Sequence, residues 1–171
     1  QAGFFVAPRA SYEHRGVDLY SNGDRVARYT SQDARIGVDV GYGFNARSEI
    51  RAGYAFGYQS GSRQIGDPVL PNVSGTYSVA GLRWNYDSLD NTVVPSRGIL
   101  SRNTLNFYFK SPGATGNITQ GETRTSVFRS LGERNILFAI AAAGTTFGDT
   151  APALRQFTLG GLFRVGGYGY E

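Results

Sequence analysis

The chain has 171 residues, of which 17 are Lys or Arg and 13 are Asp or Glu, with one His and no Cys. These counts exclude a disulfide scaffold and a thiolate metal site, and a single His cannot build a zinc site alone. The formal charge of +4 comes without a Lys/Arg cluster, so we expect no nucleic-acid partner. The 24 Gly residues and the 13% aromatic content favour an all-β protein in which backbones approach closely.

Apolar and polar residues alternate along most of the chain. Between residues 34 and 44, Ile36, Val38 and Val40 share one parity, whereas Arg35 and Asp39 share the other. A period of two is typical of strands with one apolar and one polar face. It predicts seven strands, at residues 4–19, 25–44, 49–60, 76–87, 98–110, 120–131 and 135–147, the sixth by its position only. A loop at 150–167 and the start of an eighth strand at 168–171 follow.

The contents of the two faces favour a transmembrane barrel over a soluble sandwich. The apolar parities often end in aromatic residues, such as Tyr42 and Trp84, which suits the aromatic girdles of a barrel in lipid. The polar parities combine Arg with carboxylates and Gly, which suits a lumen. The residues expected to face the lumen are Arg35, Asp39, Glu49, Arg51 and Arg83. In the seventh strand, Ile136, Phe138 and Ile140 form the more apolar parity, opposite smaller residues.

Residues 87–98 resemble the D-x-x-D-N-x-x-x-P-x-x-G hairpin of the BamA-type (surface antigen) outer-membrane barrel superfamily. In that superfamily the hairpin closes one strand and opens the next. The motif residues here are Asp87, Asp90, Asn91, Pro95, Arg97 and Gly98. Without an EF-hand spacing, we interpret the polar ones as turn caps rather than as cation ligands.

Residues 156–168 resemble a conserved loop of the same superfamily, which folds back into the barrel lumen. The superfamily loop often reads Val/Ile-Arg-Gly-Phe/Tyr, and Gly166 stands here where that Arg would be. Arg164 is the candidate substitute, with Asp39, Glu49 and Asp87 as its candidate partners. The motif residues are Phe157, Gly160, Gly161, Arg164, Gly167 and Tyr168.

The closest resemblance is to the barrel attached to bacterial patatin-like phospholipases, through residues 4–29 and the F-x-L-G-G-x-F-R form of the loop. It implies an outer-membrane translocator or anchor for a patatin-like passenger, and partners that include lipid and the passenger. The alternative is the barrel of a protein-insertion or protein-export machine with POTRA domains, like BamA or TamA. Gly-x-Ser-x-Gly is absent, so we expect neither catalysis nor a cofactor in this chain, although the parent polypeptide could be a serine hydrolase.

The superfamily barrel has about sixteen strands, and this chain would supply about half of them. The chain begins at Gln1 without a Met or a signal peptide and ends beside the loop motif. We therefore expect residues 1–171 to be one partial barrel domain within a larger protein. Lipid cannot satisfy open sheet edges, so the remaining strands or another copy of the chain should cover them.

Overall fold

The computed structural model describes residues 2–21, 24–66, 72–132 and 135–150. These residues contain seven strands and no helix. The strands are β1 (Gly3–Ser21), β2 (Asp24–Asn45), β3 (Ser48–Gly66), β4 (Val73–Asp87), β5 (Gly98–Lys110), β6 (Ile118–Ser130) and β7 (Ile136–Thr145).

Each strand pairs with the next one along the chain, so the sheet has the order β1-β2-β3-β4-β5-β6-β7. All six pairings are antiparallel. The prediction of an all-β fold with seven antiparallel strands is confirmed. The third strand continues to Gly66 rather than to residue 60, because its backbone goes on pairing with β2 as far as Ala27. Backbone pairing does not require the apolar alternation on which the sequence prediction depended.

One side of the sheet, called here the apolar face, presents large hydrophobic side chains that nothing in the described part of the chain covers. Phe4 is 83% exposed and Ile36 is 67% exposed, and such residues continue across neighbouring strands. A contiguous apolar surface of this kind indicates contact with a partner or a membrane. The face includes Phe4, Val6, Ile36, Val38, Val40, Tyr54, Phe56, Leu82, Trp84 and Leu105.

Aromatic rings on the apolar face contact one another across strands. The Phe4 and Tyr42 ring centroids lie 4.8 Å apart, and those of Tyr42 and Phe44 lie 5.2 Å apart. The Trp84 indole N–H donates to Ser48 Oγ at 3.1 Å, close to the β2–β3 turn. Aromatic residues with an apolar body and a polar tip suit the boundary between lipid and water.

The opposite side, called here the polar face, contains the charged residues of the alternating pattern. Its charged members include Arg9, Asp33, Arg35, Asp39, Glu49, Arg51, Arg83, Arg102, Glu122 and Arg124. The most buried side chains also lie on this face. They form a small core of Ala55, Tyr77, Val79, Tyr108 and Ile118, against which Ala114 of the β5–β6 connection packs.

The register of β7 reverses the orientation that its side-chain sizes suggest. Phe138 pairs with Phe128, and Ile140 pairs with Ser126, on the same side as Arg124 and the polar face. The smaller Ala139, opposite Val127, lies on the apolar side. Interpreting the larger parity of this strand as part of the apolar face is therefore wrong. Both parities of β7 are apolar, so the β6–β7 connection and its register determine the orientation, not the alternation.

Candidate functional site

The polar face is organised around Asp39, which is 2% exposed. Its carboxylate forms an ion pair with Arg83 of β4, and its Oδ1 lies 3.8 Å from Nη2 of Arg9 on β1. Neither Oδ1 nor the buried Arg9 Nε has a hydrogen-bond partner, so the Arg9 contact is electrostatic. One carboxylate on β2 thus balances cations from two other strands.

Gly53 makes the contact between β2 and β4 possible. It pairs with Asp39 on one side and with Gly81 on the other, so β3 lies between the carboxylate and Arg83. A Cβ at Gly53 would lie 2.9 Å from the carboxyl carbon of Asp39. Only a residue without a side chain leaves room for Asp39 to lean across β3.

A second charged group lies beside the first, nearer the β2–β3 turn. Arg51 donates from Nε and Nη2 to the two oxygens of Glu49, both at 2.9 Å. Asn85 also donates to Glu49, at 2.9 Å. The Arg51 guanidinium lies over the Phe5 ring, 5.0 Å from its centroid. The two-pronged geometry and the ring contact hold the Arg51 side chain in one position.

A third polar group surrounds Asp33, which is 8% exposed. The Tyr77 hydroxyl donates to Asp33 at 2.6 Å, and Arg35 Nε lies 3.9 Å from the same carboxylate. The Tyr77 ring also lies against Gly57. Asp33, Arg35 and Gln59 help to line a small polar pocket on this face.

The β4–β5 hairpin is held by its own carboxylate and amide side chains. Asp90 accepts hydrogen bonds from the backbone N–H groups of Ser96 and Arg97, at 2.9 and 3.1 Å, and from the Ser96 hydroxyl. Asn91 Oδ1 accepts from two backbone N–H groups, and Asp87 Oδ1 accepts from one. These bonds, led by that from the Ser96 hydroxyl, lower the pKa of Asp90 from 3.8 to about 2.

The backbone conformation explains why the last residue of the hairpin motif is Gly. Gly98 has a φ of 119°, which side chains rarely tolerate, and a Cβ there would lie 2.8 Å from the Cα of Leu89. Pro95 is half-buried, and the Arg97 side chain is exposed. Asp87, Asp90 and Asn91 therefore cap backbone N–H groups of the hairpin, and Gly98 occupies a backbone conformation that favours glycine.

The loop motif lies outside the described residues, and so do Phe157, Gly160, Gly161, Arg164, Gly167 and Tyr168. The three candidate partners of Arg164 are all engaged elsewhere. Asp39 pairs with Arg83, Glu49 accepts from Arg51, and Asp87 caps the hairpin. That Arg164 pairs with a wall carboxylate stays a prediction.

The structure brings the five residues expected to face the lumen to one face and connects them in separate contacts. Asp39 contacts Arg83, Glu49 contacts Arg51, and Arg35 lies beside Asp33. Asp33, Tyr77 and Gly53 also take part in these contacts or make room for them, and the sequence analysis did not identify them. The polar parity of Asp33 and of Gly53 was visible in the sequence, but the contact of Asp39 across β3 required the strand register.

The described residues contain no group of three or more His, Cys, Asp or Glu side chains that could hold a metal ion. Within the same part of the chain, no helix is long and apolar enough to cross a membrane.

An antiparallel sheet with an exposed apolar face and an ion-paired opposite face is consistent with the wall of a transmembrane barrel. Residues 4–171 match the Omp85 superfamily domain, and the chain belongs to that superfamily. The resemblance to BamA-type barrels is thus confirmed at the superfamily level, and the sheet is consistent with part of an Omp85-type barrel. No curated protein and no solved structure matches the chain significantly. Omp85 barrels are translocators rather than enzymes, and the superfamily is characteristic of Gram-negative outer membranes.

The Asp39 network predicts the effect of filling the space at Gly53. Gly53→Ala should lower the free energy of unfolding of the barrel by about 1–3 kcal/mol, because the new methyl group displaces the Asp39 carboxylate. The matched control is Gly43→Ala on β2, where a Cβ would meet nothing closer than 4.0 Å. Urea unfolding of the complete barrel protein in lipid vesicles gives both values. Equal stabilities of the two variants would contradict the crossing contact.

The hairpin bonds predict a pH-dependent ordering of residues 88–97. Since the pKa of Asp90 is lower in the folded hairpin, the stabilisation is present above about pH 4 and is lost as the pH falls towards about 2. Asp90→Asn should therefore speed amide exchange of Ser96 and Arg97 at neutral pH. The difference from the wild type should fade in acid. Hydrogen exchange with mass spectrometry measures it, with Glu122→Gln as a control, and unchanged exchange at neutral pH would rule out the capping role.

Proposed function

We propose that this chain forms part of an outer-membrane β-barrel in which the polar face lines the lumen and the apolar face contacts lipid. The observation that carries the proposal is the separation of the faces. Phe4, Ile36 and Tyr54 are at least half exposed on one side, whereas the charged contacts of Asp39 and Glu49 lie on the other. Opposed charges neutralise one another in a polar lumen, and large apolar side chains are stable against lipid.

The two outer strands of the sheet support the proposal that further strands pair with this sheet. β1 pairs only with β2, and β7 pairs only with β6, among the described residues. The backbone N–H and C=O groups along the other sides of β1 and β7 need partners inside a membrane, where each unsatisfied group costs several kcal/mol. Further strands of the same protein, or another copy of the chain, supply those partners.

Within this superfamily, we propose that the barrel is the translocator or anchor of a patatin-like passenger domain. The support is the F-x-L-G-G-x-F-R sequence at residues 157–164, together with Gly166 in place of the superfamily Arg. The chemistry of the whole protein would then lie in the passenger, and the barrel would supply the route or the attachment. Membership of the Omp85 superfamily agrees with a barrel that handles another polypeptide.

Cysteine labelling of the complete protein in outer membranes tests the assignment of the faces. Thr104 and Leu105 are neighbours on β5 whose side chains lie on opposite faces, and the chain has no Cys of its own. We expect Leu105→Cys to react with a lipid-soluble maleimide and Thr104→Cys to react with a water-soluble one. The reverse pattern would show that the barrel assignment of the faces is wrong.

The passenger assignment has a separate test on the whole gene and on intact cells. The region upstream of residue 1 should encode a Gly-x-Ser-x-Gly hydrolase motif, and a fluorophosphonate probe should label that serine in cells that make the protein. Deletion of residues 1–171 should remove the hydrolase from the outer membrane. Repeated POTRA domains upstream, without a hydrolase motif, would contradict the passenger and support a protein-insertion or protein-export machine.

A further inference from the structure

Two arginines on the polar face lie directly opposite each other, and no carboxylate in the described part of the chain pairs with either. Arg102 of β5 pairs with Arg124 of β6 in the register. Side chains at such positions have Cβ atoms about 5 Å apart, and like charges there are destabilising. Among the residues that the structure describes, neither guanidinium forms a hydrogen bond or an ion pair. The sheet therefore holds two cations side by side in one row of the polar face.

A second pair of opposed arginines shows how the same sheet balances such a contact elsewhere. Arg51 of β3 lies opposite Arg83 of β4. Arg51 has Glu49 as its partner, and Arg83 has Asp39. The pair formed by Arg102 and Arg124 differs, because no carboxylate of the described residues forms an ion pair with either guanidinium.

The two strands that flank the pair place uncharged residues beside it. Ala142 lies opposite Arg124 on β7, and Asn85, which donates to Glu49, lies opposite Arg102 on β4. The nearest carboxylate along the chain is Glu122, which lies opposite Thr104 in the next row and forms an ion pair with neither arginine. Arg102 is exposed and Arg124 is half-buried, so both can be reached from the polar side.

We propose that Arg102 and Arg124 form a binding site for the carboxylates of an acidic polypeptide segment that lies along the polar face. The inference rests on the proposed function, in which this face lines the lumen of a barrel that handles a passenger. A guanidinium presents a planar set of donors that matches a carboxylate, and two of them in one row can hold one carboxylate or two neighbouring ones. A polypeptide is favoured over a lipid phosphate because the arginines point away from the apolar face, where lipid would lie.

Binding of a labelled hexaglutamate peptide to the complete barrel protein in nanodiscs tests the site, with fluorescence anisotropy as the measurement at low salt. The double variant Arg102→Gln/Arg124→Gln should raise the dissociation constant about tenfold or more, a change of about 1.4 kcal/mol in binding free energy, because it removes both charged donors of the site. The matched control is Arg97→Gln/Arg129→Gln. It removes two exposed arginines, Arg97 in the hairpin just before β5 and Arg129 near the end of β6, on the apolar side opposite Leu137. It should leave the constant unchanged.

A charge-reversal variant distinguishes loss of the binding site from a general loss of folding as the cause of lost binding. Arg124→Glu places a carboxylate opposite Arg102, so it should raise the thermal unfolding midpoint while it abolishes hexaglutamate binding. Equal binding by the wild type and the Arg102/Arg124 double variant would overturn the site, and so would equal losses in the two double variants. Binding that depends on Arg102 and Arg124 for anionic lipid but not for hexaglutamate would overturn the polypeptide assignment.

Surface labelling of the passenger in wild-type cells distinguishes a failure of the translocator function from a failure of the acidic-segment site. If the passenger is labelled but hexaglutamate binds independently of Arg102 and Arg124, the acidic-segment site is wrong and the translocator function stands. If the wild type carries no passenger in the outer membrane, the translocator function is wrong whatever the peptide does.

Discussion

The ion pair between Asp39 and Arg83 connects strands that are not neighbours in the sheet, and the charged face depends on it. A carboxylate that is 2% exposed is costly to bury unless cations compensate its charge, and removing one partner of a buried pair typically costs about 3–5 kcal/mol. Gly53 provides the space for the contact, and Arg9 adds a third strand to it. A single buried charge on β2 thereby contacts cations from both β1 and β4.

The distribution of polarity across the sheet is the opposite of that in a soluble domain. The buried residues, from Tyr77 and Ile118 to Asp39, lie on the charged side, whereas residues such as Phe4 and Ile36 remain exposed on the other. A water-soluble sheet would bury the second set and expose the first. Membership of the Omp85 superfamily gives this inversion a physical reason, because the solvent of the exposed apolar side chains in such a barrel is lipid.

The sequence alone predicted the strand number, the antiparallel order and the faces of the strongly alternating strands. Val38 and Asp39, for example, differ in both hydrophobicity and parity, so their sides follow from the period of two. The same rule failed for Phe138 and Ile140, because both parities of β7 are apolar and only the register distinguishes them. It also could not identify Asp33 with Tyr77, or Asp39 with Arg83, since those partners lie 44 residues apart in the first case and two strands apart in the second. The hairpin contacts were easier to predict, because Asp90 and Asn91 accept hydrogen bonds from backbone groups no more than seven residues away.

A double-mutant cycle between Asp39 and Arg83 in the complete barrel protein tests most directly whether this ion pair organises the charged face. The free energies of unfolding in lipid vesicles would be compared for the wild type, Asp39→Asn, Arg83→Gln and the double variant. A buried pair that crosses β3 predicts a coupling energy of at least about 1.5 kcal/mol, within the range found for contacting residues. Additive effects, with a coupling energy near zero, would contradict the claim that this ion pair organises the charged face.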